Sequence, residues 1–243
     1  MKVLIACEES QEVCNAFRAK GHEAYSCDIQ ECSGGHPEWH IMQDVSPLIN
    51  GNCEFWTKDK DSRGVCYHYI SGKWDMIIAF PPCTHLAVSG ARHFERKRAD
   101  GRQREAIEFF CQFLNADCER VVIENPMGII SGGDYIKTHF PDLAEKYCLP
   151  VPYTQTVQPW WFAASENDNK NYYEKTTCLW CRGVEPLQVP SLTLHRPDRF
   201  VTTTGKSFPS WYSKTSLRGR GERRIVRSKT FPGIAKAMAE QWG

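Results

Sequence analysis

Residues 75–83 read Asp75-Met76-Ile77-Ile78-Ala79-Phe80-Pro81-Pro82-Cys83. Met76–Phe80 is an apolar run too short for an ordinary helix, and two prolines end it. The run therefore predicts a strand buried on both faces. Outward from it, Val3–Ala6, Glu23–Cys27 (closing on Asp28) and Arg120–Ile123 are further short apolar runs. Between them, Gln11–Lys20 carries Val13, Ala16 and Phe17 at helical spacing and stops at Gly21. Arg104–Leu114 carries Ala106, Ile107, Phe109, Phe110, Phe113 and Leu114 in an amphipathic pattern. Strands alternating with helices predict an α/β fold with a parallel sheet covered on both faces. Residues 50–73 are polar and irregular, with Cys53, Phe55, Val65, Tyr67 and Tyr69 suggesting a hairpin insertion. After Pro150 the pattern weakens. We expect a core over residues 1–150, a small basic region over 151–230 rich in loops and short strands, and a C-terminal segment, 231–243. Within that segment Gly233–Trp242 forms a helix that returns to the core.

The chain has 243 residues, 41% hydrophobic and 24% charged, with a formal net charge of +1. Those values exclude wholesale disorder, collagen and coiled coil. No stretch approaches the roughly 18 apolar residues of a membrane span. MKVLIACEES, at the start, meets glutamates by residue 8 and lacks a secretory core and cleavage site. We therefore expect a cytoplasmic protein, with its 12 cysteines held as reduced thiols.

The small net charge conceals a split. Arg196–Lys229 holds ten basic residues against Asp198 and Glu222, a charge of +8, which leaves −7 for the rest. A second cluster, Arg92–Arg104, has six basic residues against Glu95 and Asp100. Such asymmetry suggests a face for a polyanion, although solvated surface and flexible tail account for the same residues. Phe208, Trp211 and Tyr212 add rings on which bases can stack.

In parallel sheets ligands bind outside the carboxyl ends of the strands. The residues there are Cys7–Ser10, Asp28, Asp44, Pro81–Cys83 and Glu124–Pro126. An acid such as Asp28 at the second strand's end accepts hydrogen bonds from ribose hydroxyls in nucleotide-binding sheets, or simply forms a turn. The first turn, Cys7-Glu8-Glu9-Ser10, has no glycine-rich phosphate loop, which disfavours NAD and ATP. Two glutamates suit an uncharged or cationic ligand such as S-adenosylmethionine, which has a sulfonium and no phosphate. Cys83, fixed by the Pro-Pro pair, is a candidate nucleophile rather than a buried structural thiol. Glu124, beside Asn125, is a candidate acid able to give a proton to a ring nitrogen when partly desolvated.

With VLIACEES, the acid of SCDI, PPC and ENP in this order, the chain resembles the DNA cytosine-5 methyltransferase family in a short phage or prophage form. The resemblance covers about residues 1–130 well. It continues more weakly through Gln158-Pro159, Lys175–Trp180 and the terminal FPGIAKAMAEQW. It implies a Rossmann-like S-adenosylmethionine-dependent methyltransferase fold with a small C-terminal target-recognition region. It also implies that the Cys83 thiolate attacks carbon 6 of cytosine, that Glu124 protonates or hydrogen-bonds ring nitrogen 3, and that Asn125 holds the loop. Cys7, Glu8, Ser10, Asp28, Ile29, Asp44 and Pro81 would line the cofactor site, with Asp28 on the ribose and Asp44 near the adenine. The target base must be flipped from its duplex. Arg92, Arg96, Arg98 and Arg102 lie where the family has a mobile loop, and Arg218, Arg223 and Arg224 would grip phosphates, which position the protein without choosing a sequence. The chain departs from the family pattern in its glycine-free first motif, in Thr84 where Gln usually follows the cysteine, and in lacking a Gln-x-Arg-x-Arg motif.

The expected partner is DNA, with no membrane and no obligate protein partner. The alternatives are the same chemistry on RNA or a free pyrimidine nucleotide, and a non-catalytic DNA-binding protein on the same fold. No metal is expected: Cys178 and Cys181 form a CxxC without a second pair at finger spacing, and a zinc site needs four converging ligands.

Overall fold

The computed structural model describes residues 1–61, 63–190, 194–216 and 229–243. The central element is a seven-stranded sheet. It contains β1 (Lys2–Ala6), β2 (Glu23–Asp28), β3 (His40–Met42), β6 (Met76–Ala79), β7 (Val121–Asn125), β8 (Gln155–Val157) and β9 (Thr177–Arg182), in the order β3-β2-β1-β6-β7-β9-β8. The first five of these in space are mutually parallel, and β9 runs antiparallel to both β7 and β8. The result is a mixed α/β fold with a mostly parallel sheet, compatible with a Rossmann-like architecture. The sheet does not stop at residue 150: β8 and β9 come from the segment whose sequence shows no clear period.

Alternate residues along each strand supply opposite faces. Leu4, Ala6, Ile77, Ala79, Val121 and Ile123 face one layer, where α3 (Arg102–Leu114) buries Ile107, Phe110 and Phe113. Val3, Ile5, Met76, Ile78, Val122 and Leu179 face the other, against Val13, Cys14 and Phe17 of α1 (Glu12–Ala19) and Ile234, Met238 and Trp242 of α7 (Pro232–Trp242). The layering follows from the strand order. From β1 through α1 to β2 the chain steps one way across the sheet; from β6 through α3 to β7 it steps the other way. Crossovers of one hand therefore deliver the two helices to opposite faces.

Residues 50–73 form the expected hairpin, β4 (Cys53–Lys58) paired antiparallel with β5 (Val65–Ile70). Three short helices, α2 (Phe94–Ala99), α4 (Tyr135–His139) and α5 (Pro141–Tyr147), flank the carboxyl side of β6 and β7 in sequence. Beyond the sheet, β10 (Arg199–Val201) and β11 (Ser207–Pro209) form a small ribbon that leads into α6 (Ser210–Ser216).

Candidate active site

The strand order reverses between β1 and β6, and a crevice at such a switch point is where open α/β sheets bind ligands. The backbone pairing continues past both strands: Phe80 donates its N–H to the Ala6 carbonyl at 2.9 Å, and Glu8 donates to the Cys27 carbonyl at 3.1 Å. Thus Cys7-Glu8, Asp28 and Phe80-Pro81 meet at one edge.

Glu8 turns inward and is only 3% exposed. Its Oε1 accepts the Val13 N–H at 2.7 Å and its Oε2 the Cys14 N–H at 3.2 Å. These amides belong to the first turn of α1, the place where a dinucleotide's phosphate would sit in a glycine-rich site. Here the chain's own carboxyl group fills that anion position. Burial pushes the Glu8 pKa up to about 8, against the opposing pull of the two amides. Gln11 is wholly buried in a left-handed conformation. Its Nε2 donates to Ser26 Oγ and to the His36 carbonyl, while its Oε1 accepts the His36 N–H. The loop after β2 is thereby pinned over the first turn. Ser10 is buried beside it.

Cys7, also left-handed at φ 59°, has its thiol pKa raised by burial first, then by Asp28, Cys27 and Asp44. Those two carboxylates thus converge electrostatically on the end of β1. Asp28 accepts the Gln30 N–H at 2.9 Å, and Asp44 the Ser46 N–H at 2.7 Å, leaving further lone pairs on each. Next to Asp28, Ile29 is 77% exposed, a bare aliphatic surface at the lip of the crevice.

The register Ile77↔Val121, Ile78↔Val122, Ala79↔Ile123 places Pro81 beside Asn125 and Phe80 beside Glu124. Asn125, buried at 2% exposure, donates from Nδ2 to the Pro81 carbonyl at 2.7 Å. Cys83 opens a one-turn 3-10 helix, Cys83–His85, and its carbonyl accepts the N–H groups of Leu86 and Ala87. The rest of the turn is tied as firmly. Buried Lys97 donates from Nζ to the Thr84 carbonyl, and buried Gln103 from Nε2 to the His85 carbonyl at 3.0 Å. The Ile129 N–H reaches the Leu86 carbonyl at 3.0 Å, and the Val88 N–H reaches the Met127 carbonyl at 3.1 Å. Gly128 allows this approach: a Cβ there would stand 2.6 Å from the Leu86 carbonyl oxygen. Cys83 itself is partly exposed. Its turn is a braced platform.

Glu124 is partly buried and lines a small cavity with Phe80, Lys175, Thr177, Thr230 and Phe231. On the flank of the cysteine turn an open cavity of about 480 Å³ is lined by Val88, Arg92, Phe94, Arg98, Gly128 and Tyr135 among others. Buried His85 Nδ1 has no hydrogen-bond partner among the described residues.

The basic residues divide by partner. Arg92 and Arg96 are exposed. Arg98 is partly buried and donates to Tyr135 Oη at 2.6 Å, while that hydroxyl donates to Gln103 at 2.8 Å. Arg102 pairs with Asp100, and Arg104 grips Asp142 through two bonds of 2.7 and 2.8 Å. In the second segment Arg196 and Arg199 both bind the buried carboxylate of Glu174, and Lys229 donates to Ser33 Oγ at 2.9 Å. Arg218, Arg223 and Arg224 lie outside the described residues. Sequence reasoning counted Lys97 as one more surface charge and missed both Glu174 and the Tyr135–Gln103 brace.

Among the described residues no disulfide joins the cysteines. Burial raises the thiol pKa values of Cys14, Cys27 and Cys111 to about 12 and those of Cys178 and Cys181 to about 11, so these stay protonated at neutral pH. Among the described residues no three His, Cys, Asp or Glu side chains converge as a metal site, and no helix is long and apolar enough to cross a membrane. No family model matches the chain, and no curated protein matches its sequence.

Proposed function

We propose that this protein is a DNA cytosine-5 methyltransferase that uses S-adenosylmethionine. The observation that carries the reading is the β6–β7 register. It brings the Pro-Pro-Cys turn and the Glu-Asn-Pro turn together beside the switch-point crevice and joins them through the Asn125–Pro81 hydrogen bond. The crevice chemistry supports the cofactor class. Glu8 fills the position where a phosphate would bind, Asp28 ends β2 where a ribose acceptor is needed, and exposed Ile29 offers an apolar surface for an adenine ring. A phosphate-free nucleoside fits this donor and acceptor set; a dinucleotide does not.

When bound, S-adenosylmethionine supplies a methyl group on a sulfonium leaving group. The chain's residues do the rest. The Cys83 thiolate adds to carbon 6 of the flipped cytosine, and Glu124 hydrogen-bonds or protonates nitrogen 3 as charge moves onto the ring. Carbon 5 takes the methyl group. A base removes the carbon 5 proton, and the electron pair of that C–H bond expels the Cys83 thiolate, restoring the aromatic ring. Asn125 keeps the two turns in register. Exposed Arg92 and Arg96 provide cations for the phosphate backbone. Incubation with methyl-labelled cofactor tests the substrate: label should enter duplex DNA at carbon 5 of cytosine. Label in RNA or free nucleotides but not in duplex DNA would overturn the assignment, and so would no transfer to any of them.

A further inference from the structure

Lys97 is the residue around Cys83 that the function above leaves unused. It sits on α2, 6% exposed, and its ammonium donates to the carbonyl of Thr84, the residue after the candidate nucleophile. Gly90 closes over it, since a Cβ there would stand 3.1 Å from Nζ. No carboxylate pairs with Lys97 as a salt bridge among the described residues. A buried ammonium without an anion is costly, and a carbonyl dipole offsets only part of that cost.

We propose that Lys97 is a positioning residue that supplies the counter-charge holding the Cys83 sulfur as a thiolate, an inference that rests on the reading of Cys83 as nucleophile. Two roles then fall on one group: it locks the carbonyl of the adjoining residue, and it fixes a positive charge in a poorly solvated site against the backbone of the turn that carries Cys83. Cations near a cysteine favour its ionised form. The electrostatics agree. Burial, Arg102 and Arg96 all lower the Lys97 pKa, whereas Cys83, ahead of Asp100, raises it. His85 shares the turn, and burial, Lys97 and Arg102 hold its pKa low, so it adds no competing positive charge there at neutral pH.

The test reads the thiol and needs no turnover. Alkylation of Cys83 by iodoacetamide, followed by peptide mass spectrometry across pH 5–10, gives its apparent pKa in the full-length protein. Lys97→Met and Lys97→Gln should shift that profile upward and slow alkylation at pH 7 about tenfold or more. Lys97→Arg should restore most of the wild-type profile. Gln retains a donor for the Thr84 carbonyl, so a role confined to that hydrogen bond would leave its profile at the wild-type position. A Met variant that melts like wild type and titrates like wild type would overturn the proposal. If Met fails to fold, the Gln and Arg pair decides: identical profiles reject a charge effect, and separated ones support it. A chain that never methylates DNA but shows the Lys97 shift would sink the proposed function and leave this inference standing.

Discussion

Asn125 Nδ2 donates to the Pro81 carbonyl across a distance of 2.7 Å, joining the ends of two neighbouring parallel strands. The amide is buried, and the carbonyl belongs to the first proline of the turn that presents Cys83. Pairing between β6 and β7 has already ended at this level. The side chain replaces the next rung of the ladder and ties the turn that leads to Cys83 to the strand that carries Glu124.

Asn125→Ala should therefore cost about 1–3 kcal/mol of stability, the range for leaving a buried carbonyl without its donor. Methyl transfer should fall at least tenfold, with a smaller loss of cofactor affinity, since Pro81 is one of several residues proposed to line that site. Chemical denaturation and isothermal titration calorimetry measure the two effects separately.

Gly128→Ala acts on the same junction by sterics. The new Cβ would be 2.6 Å from the Leu86 carbonyl oxygen, which is backbone and cannot swing away. The 127–129 loop must withdraw and give up the Ile129–Leu86 and Val88–Met127 bonds. The expected result is a lower Tm and an activity loss larger than the loss of global stability explains. Amide exchange should show faster opening confined to residues 84–90 and 127–130, with the Ile129 and Val88 amides foremost.

Glu8 gives a pH prediction whose sign is fixed. Its carboxyl titrates near pH 8 when folded, against an ordinary value of 4.5. Folding takes up a proton between those values, so this group favours the fold fully at low pH. That contribution declines as pH rises through the window and is gone above about pH 8. The slope is at most about 1.4 kcal/mol per pH unit. In Glu8→Gln that slope should vanish, so the variant gains on wild type as pH rises from 5 to 8. Urea midpoints at four pH values check this; parallel curves would contradict it.

Salt dependence sorts the arginines. Arg92 and Arg96 are exposed, so their joint replacement by Ala should reduce the slope of log K against log salt for duplex DNA by roughly two. Arg196 and Arg199 are committed to Glu174. Replacing Arg199 should lower thermal stability, through the buried Glu174 carboxylate it abandons, more than it changes the slope.

Much of the sheet was legible because β1, β2, β6 and β7 are short apolar runs, each ended by a polar or proline residue at the site. Their burial on both faces leaves a continuous hydrophobic signature. The same logic singles out Asp28, Cys83 and Glu124 as candidates, since each ends or follows such a run. Strand β8 escaped because three residues, Gln155–Val157, cannot show a period, and β9 because it pairs with that short strand on one side and with β7, more than fifty residues upstream, on the other. Helices α4 and α5, of five and seven residues, hold too little of the 3.6-residue repeat to be seen. Lys97 was illegible for another reason. Its neighbours in sequence are Arg96 and Arg98, and only the fold of the turn around Gly90 and Thr84 takes it out of water.

The covalent step is the part of the account most open to direct observation. After methylation of a 5-fluorocytosine, carbon 5 carries fluorine in place of the proton a base must remove, so the elimination that expels the thiolate is blocked and Cys83 stays bonded to carbon 6. Mixed with S-adenosylmethionine and the protein, such a duplex should yield a denaturant-stable complex. Mass spectrometry should find the methylated base attached to Cys83, and the Cys83→Ala variant should give none. A fully active wild-type preparation whose adduct sits on another cysteine, or a folded, DNA-bound protein that forms no adduct in any duplex context, would contradict the account.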